Sequence, residues 1–207
     1  LCDDGLFCNG AETCSPTAGC ATGTPPCDAV ECDETTNQCD GGGGGTVGQM
    51  WLVFWDAANV PGVGTVQNED IVVYDSITGT WSLIFDGSDV GLSSLGIDGL
   101  AVLPTGDILF SFSVAAGIPG MIGGPGGALL DDSDIVRFVP TSLGTVTAGS
   151  FSFYFDGSDV GLTTDYEDVD AISLTSDGRL VLSTSGAFGV TGATGDDRDL
   201  IVFNSSS

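Results

Sequence analysis

The eight residues Phe-Asp-Gly-Ser-Asp-Val-Gly-Leu occur at 85–92 and again, letter for letter, at 155–162, a separation of 70 residues. An identity of that length marks an internal repeat. A repeat chain folds as copies of one supersecondary unit that bury their faces against each other. The flanks follow the same offset closely. Gly96-Ile97-Asp98-Gly99-Leu100-Ala101-Val102-Leu103 corresponds to Asp168-Val169-Asp170-Ala171-Ile172-Ser173-Leu174, and Asp107-Ile108-Leu109-Phe110-Ser111 to Arg179-Leu180-Val181-Leu182-Ser183. A third element appears in three copies: Glu69-Asp70-Ile71-Val72-Val73-Tyr74, Ser133-Asp134-Ile135-Val136-Arg137-Phe138 and Arg198-Asp199-Leu200-Ile201-Val202-Phe203.

Each recurring piece is a short run of β-branched and aromatic residues bounded by Gly, Asp or Pro, and no window carries the 3.6-residue period of an amphipathic helix. The pattern predicts an all-β fold with four strands per repeat: a like 97–103, b like 107–113, c like 134–139 and d like 151–156. Along the chain this gives b-c-d (51–55, 70–74, 81–85), a-b-c-d (97–156) and a-b-c (169–203), ten strands or about two and a half repeats. Four-stranded units of this length resemble propeller blades, although a ring needs more of them. A two-sheet β-sandwich and consecutive sheets stacked side by side are the alternatives.

All seven cysteines (Cys2, Cys8, Cys14, Cys20, Cys27, Cys32 and Cys39) precede residue 40, and Gly41–Gly45 follow as a flexible run. The expected organisation is a disulfide-rich, loop-rich arm at 1–40, a glycine hinge at 41–48 and an all-β repeat domain at 49–207. The arm has too few large apolar residues to form a core, so covalent staples must replace one. The paired C-x2-C knuckles of a zinc ribbon are missing from it. Disulfides imply an oxidising, extracytoplasmic compartment. An odd cysteine count leaves one to pair outside this stretch. The stretch Cys2-Asp3-Asp4-Gly5-Leu6-Phe7-Cys8-Asn9-Gly10-Ala11-Glu12-Thr13-Cys14, with Gly19-Cys20 and Gly23-Thr24-Pro25-Pro26-Cys27, resembles a cysteine-rich repeat of bacterial secreted and cell-surface proteins. The resemblance implies secretion, disulfides, a tandem array extending upstream of Leu1, and no enzymatic activity. Residues 50–203 resemble a β-rich repeat of secreted bacterial proteins built around the same eight-residue phrase, for which no activity is implied.

Charge narrows the functions further. Three Arg (137, 179 and 198), no Lys and no His stand against 29 acids, a formal charge of −26. Such a chain repels nucleic acid and anionic membranes. It also lacks the His and Lys of general-base, Schiff-base and His–metal chemistry. Carboxylate-pair hydrolysis survives, but acids that recur with a repeat are better explained by structure, and no enzyme is expected. No apolar stretch reaches the roughly 18 residues of a membrane span.

Calcium, which takes oxygen ligands from carboxylates and loop carbonyls, is the candidate cofactor. Its candidate ligands are Asp165, Glu167, Asp168 and Asp170, with Asp131, Asp132 and Asp134 as a second cluster; Asp196, Asp197 and Asp199 form a third. Turn formation is the competing role, above all for Asp86-Gly87 and Asp156-Gly157. Trp51, Trp55 and Trp81 suit either a core or a sugar-stacking surface. Asn204-Ser205-Ser206 fits an N-glycosylation sequon.

The first repeat lacks strand a and the last lacks strand d, and unpaired edges template pairing with other chains. The sequence thus predicts a secreted structural subunit that polymerises head-to-tail with copies of itself through open β-edges and the arm. A piece of a longer repeat protein is the simpler account of the same edges. A calcium-dependent adhesin or glycan-binding module of a larger surface protein is the alternative function.

Overall fold

The computed structural model describes residues 48–121 and 129–204 and, in the arm, Leu6, Cys8, Gly10, Gly23 and four short strands. Two compact units result, Leu1–Gly42 and Gly43–Ser207. In the first unit, β1 (Thr13–Ser15) pairs with β2 (Gly19–Ala21), and β3 (Cys32–Asp33) with β4 (Gln38–Cys39), both antiparallel. The registers set the Cα of Cys14 opposite Cys20 and that of Cys32 opposite Cys39. Cys2, Cys27 and Gly41–Gly45 lie outside the described residues.

The second unit is all-β, and its described helical residues are confined to the 3-10 turns Gly87–Val90 and Ser158–Val160. Its strands are β5 (Gln49–Leu52), β6 (Ala58–Val60), β7 (Gly64–Val66), β8 (Ile71–Asp75), β9 (Thr80–Phe85), β10 (Ile97–Val102), β11 (Ile108–Phe112), β12 (Ala116–Gly117), β13 (Leu129–Leu130), β14 (Ile135–Ser142), β15 (Ala148–Phe155), β16 (Val169–Leu174), β17 (Leu180–Thr184), β18 (Phe188–Val190), β19 (Ala193–Gly195) and β20 (Ile201–Phe203). They form three antiparallel meanders in sequence order: sheet 1 is β5-β8-β9, sheet 2 is β10-β11-β14-β15 and sheet 3 is β16-β17-β20. These are the b-c-d, a-b-c-d and a-b-c runs expected from the repeat. The sheets follow one another as separate units, not as the two halves of a sandwich.

Between strands b and c each repeat inserts a small hairpin (β6-β7, β12-β13 or β18-β19) that the repeat pattern does not reveal. Strands of two or three residues are too short to show alternation. The first strand also ends early, at Leu52, so Trp55 falls beyond it and stands 77% exposed.

Sheet 2 is covered on both faces, and this accounts for the fully buried run Ile108–Phe112. Ile108, Phe110, Phe112, Val136, Phe138 and Phe151 pack with Ile71 and Phe85 of sheet 1. Leu109, Ile135 and Phe155 pack with Val169, Ile172, Leu180 and Leu182 of sheet 3. A bulge selects the face at the end of each strand d. The register slips between Ile71 and Val72 opposite Phe85 and Leu83, and again between Ile135 and Val136 opposite Phe155 and Phe153. The slip turns Phe85 and Phe155 toward the following sheet, while Leu83 and Phe153 face backward.

Candidate functional site

The repeated phrase is a structural joint. Asp86 caps the 3-10 turn, accepting from Ser88 N at 3.1 Å and Ser88 Oγ at 2.7 Å; Asp156 does the same with Ser158 at 3.0 and 2.6 Å. Leu92 N and Leu162 N close the turns on Gly87 O and Gly157 O, both at 2.9 Å. The glycines are needed for close approach: a Cβ at Gly87 would lie 2.8 Å from Glu69 Cβ, and one at Gly157 would lie 2.6 Å from Ser133 Cβ. Asp70 and Asp134, which open strand c, clasp these glycines. Asp134 accepts from Asp131 N (2.8 Å) and Gly157 N (3.0 Å), and Asp70 from Gln67 N (2.8 Å) and Gly87 N (3.1 Å). The recurrence of Asp at these positions thus has a backbone cause.

The candidate calcium ligands divide into two sets. Glu167 is 5% exposed and is consumed by the fold: Thr163 N, Thr164 N, Thr164 Oγ1 and Gly189 N donate to it at 2.7–3.0 Å. Burial works against its charge, yet these donors hold its carboxyl below the usual range. Asp134 is the clasp just described, and Asp131 accepts from Asp132 N at 2.9 Å. Asp168, Asp132 and Asp98, by contrast, come close enough to perturb one another where β10 runs beside β16. Burial, with Asp98 and Asp132 next, pushes Asp168 up to about 7. Burial and the neighbouring Asp131 push Asp132 up to about 6, and Asp165 adds to the repulsion. Asp98 is also raised, by burial. Asp170, beside this group, accepts from Ser183 Oγ at 2.6 Å. Asp168 Oδ1 is buried and has no hydrogen-bond partner among the described residues. No three acids among the described residues are arranged to hold a metal ion. Asp98 was legible in the sequence as the counterpart of Asp170, but the uneven acid count of the two copies hid it.

In the third cluster, Arg198 pairs with Asp196 and lies 3.6 Å from Asp197. Asp199 repeats half of the clasp, accepting from Asp196 N at 2.9 Å. The tryptophans do not form one platform. Trp51 packs toward sheet 2, whereas Trp81 lies on the opposite face of sheet 1, 4.8 Å from Tyr74 between ring centroids. Asn204 accepts from Arg179 Nη1 at 3.0 Å, and the two serines of its sequon lie outside the described residues.

The two outer faces of the stack are the least satisfied surfaces. Leu200 is 71% exposed, although its counterparts Ile71 and Ile135 are 0% exposed. Val202 is 40% exposed where Val73, its counterpart, is 4%. On the outer face of sheet 1, Leu52, Phe54, Trp81 and Leu83 remain partly open around a small core of Val60, Val66 and Val72. Beside β20 lies a cavity of about 430 Å³, walled by Phe155, Leu162, Leu182, Ile201 and Phe203. No family model, no curated protein and no solved structure matches this chain.

Proposed function

We propose that this chain is a structural subunit of an extracellular assembly, joined head-to-tail through the outer faces of its sheet stack. The observation that carries the reading is the exposure of Leu200, at a position buried completely in both earlier repeats. Leu200, just before β20, and Val202 within it are exposed beside sheet 3, and sheet 1 presents Leu52, Leu83 and Trp81 on its far side. Joining these faces between copies repeats the contact that already binds sheet 1 to sheet 2 and sheet 2 to sheet 3. Such a heterologous contact does not close on itself and yields open chains. The disulfide-bonded state of Cys8 supports an oxidising, extracellular setting.

A charge of −26 opposes self-association, so assembly should strengthen as salt screens it. Negative-stain microscopy of the full chain tests the proposal. Filaments of regular subunit spacing that lengthen with ionic strength are expected; dispersed particles at every ionic strength would overturn it.

A second reading, a calcium-dependent module of a larger surface protein, draws on one observation. The buried Asp168 Oδ1, which accepts no hydrogen bond, is the kind of oxygen a hard cation satisfies, although no three acids among the described residues are grouped to hold one. Melting with and without a chelator tests it.

A further inference from the structure

The flank of β20 carries an inference that goes beyond the assembly reading and stands apart from it. We propose that this flank receives one extended peptide strand of the type Thr-x-x-x-aromatic-x-apolar-x-Phe-Asp-Gly, as the chain itself carries at 147–157.

Sheet 2 shows what such a strand does when seated. There β15 pairs along β14, with Phe151 opposite Phe138 and Phe153 opposite Val136. Phe151 covers Phe138 at 4.9 Å and reaches Phe110 at 6.5 Å between centroids, and Phe138 is left with no exposure. Polar contacts fix both ends of the strand. Thr147 N donates to Asp89 Oδ2 (2.8 Å), and Asp86 N donates to Thr147 Oγ1 (2.8 Å). At the far end, Gly157 N donates to Asp134 Oδ1.

Every receiving group recurs at sheet 3. Phe203, Ile201 and Leu182 hold the places of Phe138, Val136 and Phe110, as the registers Leu182↔Ile201 and Phe110↔Val136 require. Asp159 and Asp156 hold the places of Asp89 and Asp86, and Asp199 that of Asp134. Asp199 Oδ2 already accepts from Asp196 N, as Asp134 Oδ2 does from Asp131 N; Oδ1 is the atom that meets glycine in the two complete clasps. The cavity of about 430 Å³ lies where the side chain matching Phe151 belongs. Its walls are continuous with the apolar contact between sheets 2 and 3, since Phe155, Leu162 and Leu182 belong to both. The occupant is therefore a strand of this repeat type that is free to pair. β9 and β15 of a folded copy do not qualify, because both are already paired in their own sheets.

The test is fluorescence anisotropy with a labelled synthetic peptide of residues 147–162, added to the full chain under dilute, low-salt conditions in which it is monodisperse. Saturable one-to-one binding is expected. It should weaken at least tenfold when the chain carries Asp199→Ala, and as much when the peptide carries Gly157→Ala, whose added methyl would strike the backbone before Asp199. The peptide variant cannot unfold the protein, so it guards against a trivial loss. No saturable binding, or equal binding of the native and Gly157→Ala peptides, would overturn the proposal. Filaments without peptide binding would defeat this inference and leave face-to-face stacking intact. Peptide binding by a chain that never forms filaments would do the reverse.

Discussion

Gly157 N–H donates to Asp134 Oδ1 at 3.0 Å, tying the end of strand d to the start of strand c in sheet 2. Gly87 and Asp70 make the same bond in sheet 1 at 3.1 Å. Removing the acceptor leaves buried backbone donors without partners, which costs on the order of 2–3 kcal/mol. Asp134→Ala should therefore lower stability by about that amount in denaturant titration. Asp199→Ala, at an exposed half-clasp, should lower it far less. Equal losses would contradict the structural distinction between the two sites.

Phe85 lies at the contact of sheets 1 and 2, 5.2 Å from both Phe110 and Phe138 between ring centroids. Phe85→Ala should cost roughly 3–5 kcal/mol, the range for truncating a buried phenylalanine. Gly157→Ala should also destabilise, by about 1–3 kcal/mol, because the new Cβ meets Ser133 with little room to relax. Both are read from urea midpoints. A neutral Gly157→Ala would mean that the close approach is not required.

Stability should rise on mild acidification. Asp168 (about 7) and Asp132 (about 6) titrate above the ordinary 3.8, so between these values the folded chain binds more protons than the unfolded one. Their contribution is complete below about pH 4 and is lost as pH climbs through about 7. Glu167 and Asp107 run the other way: their carboxyls are held low, and what they contribute disappears as pH falls below about 4. Thermal melting should thus peak near about pH 5 and fall by a few degrees toward about pH 8. Asp168→Asn, which imitates the protonated acid, should raise the melting temperature at about pH 8 and flatten the profile. A profile unchanged by Asp168→Asn would remove Asp168 from this role.

Calcium and the proton compete for the same oxygens. If the cation reading holds, a chelator should lower the melting temperature at neutral pH by several degrees, and added calcium should restore it by mass action. An unmoved melting temperature would withdraw calcium and leave protonation as the means by which Asp98 and Asp168 tolerate each other.

The sequence exposed the fold at the scale of the repeat. The double occurrence of Phe85–Leu92 and the triple occurrence of the strand c pattern located all ten main strands in order. The three small hairpins escaped, because a pair such as β12 and β13 has only two residues in each strand. The acids were harder. Glu167, Asp134 and Asp168 look alike as letters in acidic clusters, yet one braces a loop, one clasps a glycine and one, half-buried beside Asp98, keeps a single buried oxygen without a hydrogen bond. What separates them is the position of backbone N–H groups distant in sequence, such as Gly189 for Glu167, which no local pattern encodes. The exposure of Leu200 was also hidden, since its sequence neighbours match those of Ile71 and Ile135, which open β8 and β14, yet β20 begins one residue later and leaves Leu200 outside it.

Sedimentation velocity of the full chain, compared with Leu200→Asp over a range of concentrations at about 0.5 M salt, tests the head-to-tail account most directly. The account predicts sedimentation that grows without limit as concentration rises for the native chain, and a single monomeric boundary for Leu200→Asp with unchanged melting. A native chain that stays monomeric throughout, or a Leu200→Asp chain that assembles as readily, would contradict it.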